Sequence, residues 1–281
     1  MIEAALDAGI NWIDTAEAYF DGMNESVIVA ALKSCGAQML LSSKVAPLPD
    51  GTGFEPRQIR DACAKSLERL AVEQIDLYLL HWPDDTVAVE DTWEAMRGLV
   101  DDGLVRYVGL SNFGRGLIER CLKVGPVEHV QDGLSPIDHL ENLALFPWCR
   151  QQGISVVTYE PLANGMLAGA ITSPQDFARV VGDDYAEWGF WKRLFAPGRF
   201  ERSEAVADGM RSMAGRVGCT LAQMALAWNL HQPGVTATLA GSRNPVHVRD
   251  NAAAADVELS AAQLAELDAL IPLGPTYVEN P

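Results

Sequence analysis

Seven short apolar runs, separated by stretches of helical period, constrain this chain more than any other feature. They lie near 10–14, 38–43, 75–80, 105–110, 127–131, 154–159 and 235–240. None shows polar alternation, so both faces of each strand must be covered, the pattern of a parallel sheet flanked by helices. Helical spacing predicts helices near 25–34, 57–69, 88–102, 115–123, 141–152, 204–217, 220–231, 245–254 and 260–271. The first nine residues read as the end of a further amphipathic helix, stopped by Gly9 as its C-cap. No repeat, composition shift or low-complexity tract divides the 281 residues, which read as a single α/β domain, 1–281.

Two architectures suit such an alternation. An open doubly wound sheet normally begins with a strand and holds a nucleotide on a G-x-G-x-x-G turn. No such turn occurs here, and Gly114–Arg115–Gly116 is only a fragment of one. A TIM-type (β/α)8 barrel needs eight strands to close. The expectation is therefore that barrel with its first strand missing, Met1 lying inside helix one and backbone groups unpaired along the gap. The stretch 161–203 is expected to be a long loop over the barrel mouth, carrying Trp188, Phe190, Trp191, Phe195 and Phe200. It reads either as a loop packed by its own aromatics or as a flap over a ligand.

Three strands end in reactive side chains. Leu77–Leu80 runs into His81, with Pro83 forbidding continuation; Ile10–Ile13 ends in Asp14, with Tyr19 just beyond; Met39–Ser43 ends in Lys44. Singly, Asp14 reads equally well as a turn cap, Tyr19 as a packing aromatic, Lys44 as a solvated loop residue and His81 as a core histidine. Together they occupy the strand ends at which barrels of this class build their sites. The chemistry they suggest is proton transfer to an oxygen. A tyrosine, with a pKa of ~10, needs a neighbouring ammonium to stabilise its phenolate. A carboxylate would keep that ammonium charged and in place, and a neutral histidine would orient the substrate oxygen. No strong nucleophile has a base beside it, so acyl transfer is not indicated.

The net charge of −17 argues against nucleic acid or an anionic membrane surface as partner. Five scattered cysteines with no C-x-x-C read as reduced thiols of a cytoplasmic protein and give no zinc site. No apolar run reaches 18 residues, and no basic segment precedes an apolar one at the N-terminus. A metal-dependent hydrolase using Asp14, His81 and Glu160 is a weak alternative, because histidines are scarce at the strand ends.

The segment Asp14-Thr15-Ala16-Glu17-Ala18-Tyr19, with Gly22 and Glu25 beyond, resembles the aldo-keto reductase signature around its catalytic Asp and Tyr. Ser43-Lys44 and Leu80-His81-Trp82-Pro83 resemble its Lys and His positions. The similarity continues in order through Gly109-Leu110-Ser111-Asn112-Phe113, Val130-Gln131, Tyr159-Glu160-Pro161-Leu162 and Gly241-Ser242-Arg243-Asn244-Pro245.

The resemblance implies a tetrad of Asp14, Tyr19, Lys44 and His81, with Tyr19 as general acid in carbonyl reduction. It further implies that Ser111, Asn112 and Gln131 bind the nicotinamide carboxamide and that Tyr159 stacks on the ring. Glu160, Leu162, Gly241, Ser242, Arg243, His247, Asp250 and Asn251 would complete the cofactor site, with Ser242 and Arg243 at the adenosine phosphates and Asp250 and Asn251 near the adenine. Ser242 to Pro245 also lie before a helix N-terminus, where amide N–H groups attract anions.

NADPH is the expected cofactor and NADH the second choice, because His247 stands where many members carry a basic residue for the 2′-phosphate. Asp132-Gly133-Leu134-Ser135 departs from the family's usual sequence and is given no role. Phe20, Trp82 and Phe113, with Tyr277, are the candidate substrate-pocket residues. The expected function is NAD(P)H-dependent reduction of a small aldehyde or ketone by a monomer. A nucleotide-binding sensor or partner subunit with little turnover is the alternative.

Overall fold

Each apolar run becomes a strand in the computed structural model, which describes residues 1–47, 54–173, 176 and 198–271. The strands are β1 Trp12–Asp14, β2 Leu40–Val45, β3 Ile75–Leu80, β4 Val105–Ser111, β5 His129–Gly133, β6 Ser155–Tyr159 and β7 Val235–Thr238. They form one sheet in sequence order, and β1 to β5 pair in parallel. The fold class is the expected α/β, (β/α)8 type, with seven strands among the described residues.

The described residues divide into two compact units. The first comprises Met1–Asp132 with Leu145–Val157. Its helices are α1 Ile2–Asp7, α2 Met23–Cys35, α3 Pro56–Leu70, α4 Val89–Asp101, α5 Arg115–Val124 and α6 Phe146–Gln151. Their inner faces follow the 3.6-residue period: α3 buries Ile59, Ala62, Cys63, Ser66 and Leu70, and α4 buries Val89, Thr92, Trp93, Met96 and Leu99. Trp93 is fully buried, and its truncation to Ala would cost about 3–5 kcal/mol. In β4 only a glycine fits position 109, because a Cβ there would come within 2.6 Å of the His129 carbonyl oxygen.

The second unit comprises Gly133–Ala144 and the described residues from Thr158 onward. It holds β7 with α7 Arg199–Val217, α8 Leu221–Leu230, α9 Pro245–Ala252 and α10 Ala261–Leu270. Helix α8 is buried almost all round, from Ala222 to Asn229, and starts in a capping box of Thr220 and Gln223. The buried Asn229 side chain is satisfied at both ends, donating to Leu134 O at 2.6 Å and accepting from Thr158 Oγ1 at 2.7 Å.

Several boundaries differ from expectation. The helix expected over 141–152 is a 3₁₀ turn, Leu140–Ala144, followed by α6. Pro147 in the first turn of α6 has no N–H to give to the preceding turn, so one continuous helix cannot form. Lys44 lies inside β2 rather than beyond it. The loop expected over 161–203 includes a 3₁₀ segment, Ala163–Ala168, and gives way to α7 at Arg199, directly after Gly198 at φ +75°. Within that stretch, residues 174–175 and 177–197, including Trp188, Phe190, Trp191 and Phe195, lie outside the described residues, as does Tyr277. Among the described residues no helix is long and apolar enough to cross a membrane.

Candidate active site

The parallel register of the first three strands sets Asp14 beside Ser42 and Lys44 beside Leu79, and His81 follows directly on β3. The chain after β1 stays attached to β2, with Thr15 N–H on Ser42 O and Glu17 N–H on Lys44 O, before it turns to present Tyr19. The four expected residues thus share one region of the first unit. Lys44 is 1% exposed; its ammonium is ion-paired with Asp14 Oδ1 and donates to Thr15 O at 2.9 Å. Its nitrogen lies 5.3 Å from the centre of the Tyr19 ring. The Tyr19 and His81 rings meet edge to face, their centres 5.6 Å apart.

Burial pushes the Lys44 ammonium below its usual range, with Asp14 working in the opposite direction. Burial likewise pushes His81 down, the Lys44 charge adds to the effect, and Asp14 opposes it; the result is about 3. His81 is therefore a neutral imidazole at any ordinary pH. Its Nδ1 is buried and has no hydrogen-bond partner among the described residues. A buried amine paired with a carboxylate and lying over a tyrosine ring, next to a neutral imidazole, is suited to moving a proton to an oxygen.

A second layer fixes these groups. Ser42 Oγ donates to Asp14 Oδ2 at 2.7 Å and accepts from Trp12 Nε1 at 3.0 Å. The carboxylate of Glu25 is fully buried behind the site, accepting from Ser43 Oγ and Arg69 Nε. Sequence reasoning missed Ser42, Trp12 and Arg69 and gave Glu25 no task. The available signal was two adjacent hydroxyls in a strand otherwise built for burial.

Ser111, Asn112 and Gln131, expected at the carboxamide, also lie in this unit. Asn112 adopts φ +66°, a conformation Asn tolerates. Its backbone N–H is held by Gln131 O at 3.2 Å and Asp132 Oδ1 at 2.8 Å, and its side chain donates to His81 O at 2.9 Å. Asp132, given no role from sequence, therefore shapes this turn. Gln131 Nε2 donates to Asp14 Oδ2 at 3.0 Å. Of the expected pocket residues, Phe20 and Trp82 are exposed and Phe113 is buried.

The second unit contains a cavity of about 630 Å³, within the range of small-molecule sites. Glu160, Leu162, Gly241, Ser242, His247, Asp250 and Asn251 line it, together with Thr220 and Asn164. Arg243 is exposed and, like Tyr159, is not among the lining residues. Asp250 is anchored by Gln223 Nε2 at 2.9 Å and by Thr220 Oγ1 at 3.1 Å. The Asn244 side chain caps α9 by accepting from Val246 N–H at 3.0 Å. Among the described residues, neutral donors and apolar carbons make most of this lining, with Glu160 and Asp250 acidic and no Lys or Arg. It fits the uncharged ring and sugar of a nucleotide.

Beside Tyr159 stands His139, its ring centre 5.9 Å away, with Asp138, Glu141 and Glu160 at 3.4, 3.8 and 3.7 Å. Burial alone would lower its pKa, but the facing carboxylates of Glu141, Glu160 and Asp138, which favour the protonated ring, outweigh it and bring it up to about 10. No sequence signal marked it. Among the described residues no group of His, Cys, Asp and Glu could hold a metal ion.

The family model for the Aldo/keto reductase family matches residues 1–272. An NADH-specific methylglyoxal reductase of Escherichia coli is 31% identical over 285 residues, covering 93% of this chain and 84% of its own length. A glycerol dehydrogenase from Gluconobacter oxydans shares the fold with a TM-score of 0.84 at 28% identity, over 99% of this chain and 87% of its own. An aldo/keto reductase of Klebsiella pneumoniae in complex with NADP and acetate gives a TM-score of 0.72 at 31% identity, over 96% and 83% of the two chains. The chain belongs to the aldo/keto reductase family, oxidoreductases that reduce carbonyl compounds with NAD(P)H.

Proposed function

We propose that Tyr19 is the general acid of a carbonyl reduction in which Lys44, Asp14 and His81 set its protonation and the position of the substrate oxygen. The observation that carries this reading is Lys44: a buried ammonium, paired with Asp14, lies against the Tyr19 ring. An ammonium there stabilises the phenolate left when the proton departs, and each unit of lowering corresponds to ~1.4 kcal/mol. Neutral His81 donates a hydrogen bond to the carbonyl oxygen without delivering a charge. In alcohol oxidation the same phenolate accepts the proton.

When bound, the nicotinamide cofactor supplies the hydride. Ser111, Asn112 and Gln131 hold its carboxamide, and Tyr159 covers its ring. Glu160, Leu162, Gly241, Ser242, Arg243, His247, Asp250 and Asn251 hold the rest of the nucleotide. Phe20 and Trp82 offer apolar faces to a small aldehyde or ketone. The protein acts in a reducing cytoplasm, a reading supported by five free thiols, and works as a monomer.

The test is Tyr19→Phe, assayed with NADPH and NADH against a panel of aldehydes and ketones. A loss of kcat of about 100-fold or more is expected, with nucleotide affinity by fluorescence titration unchanged. Parental kcat in this variant would overturn the acid role. Tight nucleotide binding by the parent without turnover on any carbonyl would favour a sensor.

A further inference from the structure

Ser42 is a fully buried hydroxyl in β2, beside Ser43 and two residues before the active-site lysine. A serine has one hydrogen to give. The near acceptor is Asp14 Oδ2 at 2.7 Å, whereas Ile13 O is 3.5 Å away. The indole of Trp12 can only donate, and its Nε1 lies 3.0 Å from Ser42 Oγ. The direction of the chain is therefore fixed: Trp12 donates to Ser42, and Ser42 donates to Asp14.

Trp12 is itself wedged. Its ring meets that of His129 edge to face, with centres 6.0 Å apart. Ser155 gives its hydrogen to Glu128 O at 2.9 Å, so His129 Nδ1, 3.0 Å from Ser155 Oγ, must be the protonated nitrogen. Burial, opposed by Asp14 and reinforced by Lys44, lowers the pKa of His129 to about 4 and keeps that ring neutral. The indole thus rests against a fixed, uncharged wall.

Two side chains donate to Asp14 Oδ2, namely Ser42 and Gln131, while Oδ1 takes Lys44. If Gln131 serves the cofactor, its bond to Asp14 is the one a bound nucleotide competes for. Ser42 is out of reach of any ligand.

We propose that Ser42, aligned by Trp12, is a positioning residue that holds the Asp14 carboxylate on Lys44 throughout turnover. The inference rests on the proposed acid role of Tyr19. Losing the Ser42 donor frees the carboxylate to rotate away from Lys44 and weakens the interaction that keeps the buried ammonium charged.

The experiment compares Ser42→Ala, Trp12→Phe and Tyr19→Phe in full-length protein, using kcat–pH profiles and NADPH titration. Ser42→Ala is expected to lower kcat on the order of 10-fold, the rate equivalent of one hydrogen bond to a charged group. Its alkaline limb should move to lower pH, because Lys44 loses its proton earlier. Trp12→Phe, which keeps an aromatic ring and deletes the donor, should shift the limb in the same direction by less. NADPH affinity should stay within about twofold in both.

A parental profile in Ser42→Ala overturns the proposal, as does a fall in kcat with an unmoved alkaline limb. If Ser42→Ala does not fold, the limb of Trp12→Phe decides in the same way. Parental activity in Tyr19→Phe would instead overturn the acid role. An inactive Tyr19→Phe with an unaffected Ser42→Ala removes the positioning role alone.

Discussion

Arg69 lies over Gly22 so closely that a Cβ on Gly22 would come within 2.5 Å of the Arg69 Nε. That same nitrogen donates to Glu25 Oε2, on the first turn of α2. Gly22 has φ +81°, and Phe20 and Asp21 before it also have positive φ. The turn that presents Tyr19 is thus held in a left-handed path by a guanidinium clamped to a buried carboxylate. Arg69→Met leaves Glu25 buried with Ser43 Oγ as its remaining side-chain donor among the described residues, a loss of about 3 kcal/mol. Thermal unfolding should show a clear drop in Tm, and kcat should fall as the turn loosens. An unchanged Tm would mean that Glu25 is held by other means.

His247 lines the cavity of the second unit, and among the described residues no Lys or Arg lines it. If that cavity receives the adenosine end of the cofactor, His247→Arg adds a permanent cation where a 2′-phosphate could use one. The ratio of NADH to NADPH dissociation constants should then shift toward NADPH by about 10-fold, one charge-assisted hydrogen bond. Titration of both nucleotides with parent and variant checks this. An unmoved ratio would place the 2′ position away from residue 247.

His139 predicts a pH dependence of stability. Its folded-state pKa is raised to about 10, above an unfolded value of about 6.5. The folded state therefore holds the proton more tightly. The resulting stabilisation is complete below pH about 6.5 and is lost as pH rises toward about 10. His139→Gln removes it. The Tm difference between parent and variant should be largest near pH 6 and shrink by pH 10. A difference that stays constant over that span would show that the imidazolium is not the source.

The strand positions and the side chains Asp14, Lys44 and His81 were legible because they follow from local pattern, a short apolar run with a polar residue at or near its end, whereas Tyr19 was found by its place in the segment after Asp14. The break at Leu145 was less legible, because Pro147 is compatible with the first turn of a helix and only the register of the preceding turn shows that two segments meet. Ser42 was invisible for another reason. A serine in a buried strand acquires meaning only when Asp14 and Trp12, 28 and 30 residues away in sequence, arrive beside it. The roles of Arg69 and His139 depend in the same way on partners that no spacing rule brings together.

Strand β2 has a consequence for assembly of the chain. Successive residues of a strand face opposite ways, so Ser42 reaches Asp14 while Ser43 reaches Glu25 on α2. A slip of one residue against β1 or β3 would exchange those two hydroxyls. Each carboxylate would still meet a serine, but Lys44 would turn to the opposite face and leave Asp14 without its ammonium. Pairing errors that an apolar strand could tolerate are thereby made costly at this one strand, so the groups that handle the proton also act as a proofreading device for the alignment of the sheet.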